Sequence, residues 1–225
     1  MKNPWFEYLS RSNRTNFHPE DEANALGFNA SIEGRTSLIL AEHLEPFPYL
    51  GNPKAPVIIL LANPGMSDKE AKRTYKISKE KLKLSNDNLI HANNSNLSLT
   101  LKSGKRDLES PWFQARTRKL VEKTSIEAVA ENLFFINFHA YHSKSWYPIP
   151  FTFHTQKYSF SLVRDGLDRG AHILMSRNTI GWLTAIPELH DYCRISIFRS
   201  SRSVHITSGN LGNTAFNKLI REISK

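Results

Sequence analysis

The chain has 225 residues, 40% hydrophobic and 11% aromatic, with 30 Lys and Arg against 21 Asp and Glu, a formal net charge of +9. This composition excludes a disordered or fibrous chain and fits one α/β domain, 1–225, with a sizeable core. The longest apolar run, Val57 to Ala62, is too short to span a bilayer, and residues 1–17 lack the apolar stretch of a signal peptide, so a cytoplasmic location is expected.

In chain order, residues 1–50 read as a lead-in: a helix, a polar link and the proline-marked Glu45-Pro46-Phe47-Pro48. Val57–Ala62, apolar throughout, reads as a strand buried on both faces of a parallel sheet. Asn63-Pro64-Gly65 follows, then Ser67-Asp68-Lys69-Glu70, a capping box that predicts a helix start. Residues 85–106, rich in Asn, Ser and Lys without a sustained period, read as a loop or insertion.

Ser110 as cap and Pro111 in the first turn predict a helix over Pro111–Lys123. Leu133–Asn137 is a second buried strand, and Phe138–Phe153 an aromatic, proline-containing loop. Helix over Tyr158–Asp168, strand over Ala171–Ser176, helix over Asn178–Ala185 and strands over Arg194–Phe198 and Val204–Thr207 complete the alternation. Cys193, alone of its kind, excludes an internal disulfide, an iron–sulfur cluster and a cysteine zinc site, and reads as a buried, inert thiol. A helix from Asn213 closes the chain with Phe216, Leu219, Ile220 and Ile223 on one face. No internal repeat is apparent. The alternation predicts a single-domain three-layer α/β/α sandwich around a central, mainly parallel sheet.

In such sheets ligands bind at the carboxyl ends of strands, which is where Asn63 and Asn137 stand. Asn63 either caps the turn or orients a ligand or water. Asn137, a carboxamide ending an apolar strand, needs partners and offers both a donor and an acceptor, either to the core or to a ligand. Gly65 allows close backbone approach. His139 and His142 lack the carboxylate or cysteine company of a metal site, so no metal is expected. Phe138, Tyr141, Trp146 and Tyr147 are candidates either for stacking or for the core. Lys69, Lys72, Arg73, Lys76, Lys79, Lys81 and Lys83 form one basic stretch, and Arg194, Arg199 and Arg202 another. Both suit a solvated face or a polyanion, since Lys and Arg gain affinity by displacing counterions from phosphates.

The order of these motifs resembles the uracil-DNA glycosylase superfamily. Val57-Ile-Ile-Leu-Leu-Ala-Asn-Pro-Gly65 is similar to the first active-site motif of the mismatch-specific uracil and thymine DNA glycosylases. Ser110–Leu120 with Leu133–Asn137 is similar to the passage whose strand ends in a base-reading Asn. Val204-His-Ile-Thr-Ser-Gly-Asn-Leu211 resembles the third motif, and the resemblance spans Val57 to Ile223. It implies a monofunctional glycosylase without cofactor, acting on duplex or single-stranded DNA as a monomer. Asn63 and His205 are then catalytic, the first orienting water and the second stabilising the departing base. Pro64, Gly65, Asn137, Tyr75 and Ser208 meet the base, and Lys69, Lys72, Arg73, Arg202, Gly209 and Asn210 meet DNA. Thr207 stands where the family has Pro, and one extra residue separates His205 from Ser208. Ser208 or Asn210 is thus the alternative to His205 at the base. A noncatalytic nucleic-acid-binding protein on the same fold is the alternative function.

Overall fold

The structure is a computed structural model, and residues 1–12, 15–32, 34–72, 74–92, 96–101, 108–200 and 203–224 are described. The helices are α1 (Trp5–Ser10), α2 (Pro19–Ser31), α3 (Lys79–Leu89), α4 (Asn96–Leu101), α5 (Pro111–Lys123), α6 (Ile126–Asn132), α7 (His154–Asp168), α8 (Thr179–Ala185), α9 (Ser208–Leu211) and α10 (Asn213–Ile223). Five strands, β1 (Tyr49–Gly51), β2 (Val57–Leu61), β3 (Leu133–Asn137), β4 (His172–Met175) and β5 (Ile195–Ile197), form one sheet in the order β1-β3-β2-β4-β5. Only β1 runs antiparallel, pairing Tyr49 with Ile136; β2, β3, β4 and β5 are parallel neighbours. The protein is thus an α/β fold on a mostly parallel sheet. Among the described residues no helix is long and apolar enough to cross a membrane.

β2 and β3 are fully buried, and their alternate residues join two separate apolar clusters. Ile58, Leu60, Phe134 and Ile136 pack with Trp5, Phe28, Val163 and Trp182; Val57, Ile59, Leu133 and Phe135 pack with Leu97, Leu120, Val129 and Leu219. Strand side chains alternate between the two faces of a sheet, so each face has its own core. The connection from β2 to β3 brings Leu89 of α3 to the first cluster and then α4, α5 and α6 to the second, and that from β3 to β4 delivers α7 to the first. Helices thus pack on both faces, and in such sheets ligands bind at the carboxyl ends of the strands.

Several sequence expectations are corrected. The capping box forms, with the Ser67 N–H and Oγ each 2.8 Å from Glu70 Oε2, yet only one turn follows and the helix waits until Lys79. Asp68, Lys69, Lys72 and Thr74 are exposed, so no apolar face repays the ordering of a helix there. The basic stretch is accordingly not one helical face. Residues 85–106 are no plain loop: α3 runs to Leu89, and α4 buries Asn96, Leu97, Thr100 and Leu101, with 93–95 and 102–107 outside the described residues.

Val204–Thr207 is not a strand. Val204 and Ile206 are buried in alternation, but the Ile206 N–H donates to the Arg116 carbonyl on α5. The Ser208–Gly212 segment is the one-turn helix α9, capped by Thr207, and Cys193 is exposed, in the link before edge strand β5. The lead-in is tied to the core through α2, where Asp21, fully buried, accepts from Tyr141 Oη at 2.6 Å, Thr155 Oγ1 at 2.6 Å and the His154 and Thr155 N–H groups.

Candidate active site

At the carboxyl end of the central strands, the loop after β2 is clasped to the loop after β3. The Phe138 N–H donates to the carbonyls of Leu61 and Ala62, closing the gap between the strand ends. Asn63 Nδ2 donates to Ser143 Oγ at 2.8 Å and lies 3.2 and 3.3 Å from the carbonyls of Pro64 and Ser143. The His142 ring meets the Gly65 carbonyl at 2.8 Å, and Lys144 pairs with Asp68 at 2.9 Å. Pro64 is buried, while Gly65 is exposed with open space where a side chain would stand. With its donor end held, Asn63 has its amide oxygen as the acceptor left over, without a partner among the described residues.

Asn137 pairs with Leu61 in the β2–β3 register, two residues before Asn63. It is 3% exposed; Nδ2 donates to the Phe47 carbonyl at 2.8 Å and its N–H to the Pro48 carbonyl. Oδ1 is buried with no hydrogen-bond partner. Turning the amide over would set its oxygen against the Phe47 carbonyl, so the orientation is locked and the acceptor is left unanswered. Phe47 also stacks obliquely on His142, with ring centres 6.3 Å apart, which links Asn137 to the Gly65 loop.

His139 is buried between Trp146 and Phe153, and burial pushes its pKa down to about 3. Burial also lowers that of His142, partly opposed by the Gly65 carbonyl and Glu70. Both rings thus shape the loop as neutral groups, and among the described residues no three His, Cys, Asp or Glu side chains gather as a metal-binding group. Tyr141 is fully buried with its hydroxyl on Asp21, so it serves the core. Tyr147 is 40% exposed, with the Arg35 guanidinium 5.2 Å from its ring centre. Tyr75 is half-buried near Lys69 and Lys81, outside the Asn63–Ser143 clasp.

The third motif lies differently from expectation. His205 Nδ1 donates to the Ala115 carbonyl at 3.0 Å, which commits one of its two ring nitrogens to the fold. Asn210 is buried and committed to its own loop: Nδ2 donates to the carbonyls of Ser203 and His205, and Oδ1 accepts from the Ser200 N–H. It positions the loop and has no amide group left for DNA. Ser208 is half-buried at the start of α9, and Gly209 is exposed. Lys69 and Lys72 are exposed beside the Gly65 loop; Arg73 and Arg202 lie outside the described residues.

Residues not singled out from sequence complete the picture. Ser143 holds Asn63, and Phe47 holds Asn137. Arg116 stacks on Trp112, 4.9 Å from its ring centre, has a buried Nε without a partner, and has its pKa lowered by burial and by the neighbouring Arg177. The i, i+4 spacing of Trp112 and Arg116 was the available signal for that pair. No protein-family model, curated protein or solved structure matches the chain.

Proposed function

We propose that the chain is a monofunctional DNA glycosylase of the uracil-DNA glycosylase kind, a three-layer α/β/α sandwich acting as a cytoplasmic monomer on a base flipped out of DNA. One observation carries the reading: the buried, orientation-locked Asn137, whose Oδ1 has no partner among the described residues, ends β3 beside Leu61 of β2, two residues before Asn63. A buried acceptor without a partner costs about 1–3 kcal/mol, and a ligand donor removes that cost. The imide N–H of uracil or thymine is such a donor, as is the amino group of cytosine. Asn63 is the matching group on the neighbouring loop. Its fixed amide oxygen accepts from a water whose oxygen attacks the anomeric carbon. The N-glycosidic bond breaks, its electron pair leaves with the base, and the water's spare proton passes to solvent.

With an amide and not a carboxylate at position 63, catalysis rests on stabilising the leaving base and on bases that unstack readily. DNA is the partner favoured by the net charge of +9 and by the cations Lys69, Lys72 and Lys144 on these loops. The geometry of His205 favours a second reading, a noncatalytic nucleic-acid-binding protein, since one ring nitrogen is already committed to the Ala115 carbonyl.

The test uses labelled duplex and single-stranded oligonucleotides bearing U:A, U:G, T:G, hypoxanthine or a modified cytosine, with alkaline cleavage of abasic sites. Excision of at least one lesion is expected, reduced on the order of 100-fold by Asn63→Ala or Asn137→Ala. Salt-sensitive binding without abasic product supports the second reading, and absence of binding at low salt removes both.

A further inference from the structure

We propose that the cavity between β5 and α10 is a separate anion site that takes a phosphoryl group. The cavity measures about 410 Å³ and lies on the flank of the sheet, two strands from β2. Arg194, Arg199 and Lys218 line it from three elements or links, and among the described residues no carboxylate does. Glu222 sits behind the wall, with one oxygen 3.0 Å from His172 Nδ1 and the other 2.6 Å from Arg194 Nη2. It neutralises and fixes Arg194 and leaves the other two cations uncompensated. Arg199 has only a long contact, 3.4 Å, to the Gly209 carbonyl, and Lys218 has no ion pair or hydrogen bond among the described residues.

The floor is neutral and rigid. His172, 2% exposed, bonds Ser196 Oγ at 2.9 Å across the β4–β5 pair, and burial lowers its pKa. Gly212, at φ +84°, shapes the mouth: a Cβ there would come within 3.3 Å of Arg199 Nη2. A planar guanidinium and an ammonium facing one cavity with no acid on its wall match a tetrahedral anion of charge one to two. That chemistry belongs both to a DNA backbone phosphate and to a free phosphate monoester. The anion site does not depend on base excision, because it uses none of the residues at the β2 and β3 carboxyl ends.

The experiment compares the full chain with the double variant Arg199→Gln/Lys218→Gln and the charge-matched control Lys54→Gln/Lys157→Gln. Calorimetry measures binding of inorganic phosphate and of a nucleoside 5′-monophosphate. Fluorescence anisotropy measures binding of a lesion-free duplex as salt is varied. All four substituted side chains are exposed, so melting temperatures are expected to stay together. If the cavity holds a backbone phosphate, the slope of log K against log salt becomes shallower by about 1 in the double variant and not in the control. If it holds a free ligand, phosphate or nucleotide binding falls by at least about tenfold while the DNA slope stays. Absence of phosphate and nucleotide binding by the unaltered chain, together with equal slopes in all three proteins, overturns the proposal.

Discussion

Acid should unfold this protein well above the pH at which its carboxylates titrate, and His139 gives the reason. In the unfolded chain a histidine protonates near pH 6.5, whereas burial holds His139 down to about 3 in the folded protein. The folded state therefore binds fewer protons than the unfolded state between those values, and stability falls as pH drops through that window. Each pH unit is worth about 1.4 kcal/mol, so His139 alone removes about 2 kcal/mol between pH 7 and pH 5 and roughly 4 kcal/mol by pH 3. The ring also accepts from the Tyr141 N–H at Nδ1, an acceptor that protonation would abolish. Urea unfolding at pH 7, 6 and 5, followed by circular dichroism, measures the slope. His139→Phe keeps the ring volume beside Trp146 and loses the titration. It should be up to about 1.5 kcal/mol less stable at pH 7 for want of that hydrogen bond, yet lose about 2 kcal/mol less on going to pH 5. Parallel pH profiles for the two proteins would refute the reasoning.

Asp21→Ala strips the acceptor from Tyr141, Thr155 and the first N–H groups of α7 at once. A loss of about 3–5 kcal/mol is expected, lowering the melting temperature by on the order of 10 °C, and an unchanged melting temperature would show that residues 1–31 are dispensable to the core. Gly51→Ala puts a Cβ 2.3 Å from the Leu133 carbonyl at a φ of +108°, so it should cost more than about 2 kcal/mol in urea unfolding. Gly65→Ala meets nothing within 4 Å and should leave stability within about 0.5 kcal/mol, while weakening any ligand that approaches this backbone closely. Equal destabilisation by the two alanines would contradict the open space at Gly65.

The parts of the fold legible in the sequence are those where local signal and tertiary burial agree. Leu133–Asn137 and Pro111–Lys123 have the expected bounds because an apolar run, a strand terminus and a first-turn proline each point the same way. The capping box at Ser67 is the instructive failure. Its hydrogen bonds form as the residues dictate, but a cap starts a helix and does not sustain one, and the exposed residues after it bring no apolar face. The opposite failure hides α4: two leucines four apart, Leu97 and Leu101, are enough to bury a short helix inside a stretch whose Asn, Ser and Lys content reads as loop. Val204 and Ile206 show the correct alternation of burial, yet their backbone finds α5 instead of a strand, which no periodicity distinguishes.

The same distinction separates the asparagines. Asn63, Asn137 and Asn210 were equivalent as polar residues at turns and strand ends; what divides them is how many of their hydrogen-bonding groups the fold already uses. Asn210 has both ends engaged by its own loop, which makes it a brace. Asn63 has its donor end held by Ser143, and Asn137 has its donor end held by Phe47 while its buried oxygen has nothing. Two carboxamides fixed by their nitrogens, at or just past the ends of adjacent strands, have acceptor oxygens without partners among the described residues. On the proposed reading a ligand there must bring donors, and an edge made of carbonyls alone would leave Asn137 Oδ1 as unpaired as before. Bases with an N–H or amino group on the edge facing Asn137 should therefore bind or be excised, whereas N3-methylated uracil should be refused by the unaltered chain and tolerated better by Asn137→Ala. Equal handling of uracil and its N3-methyl derivative would remove Asn137 from the reading edge while leaving its place in the fold untouched.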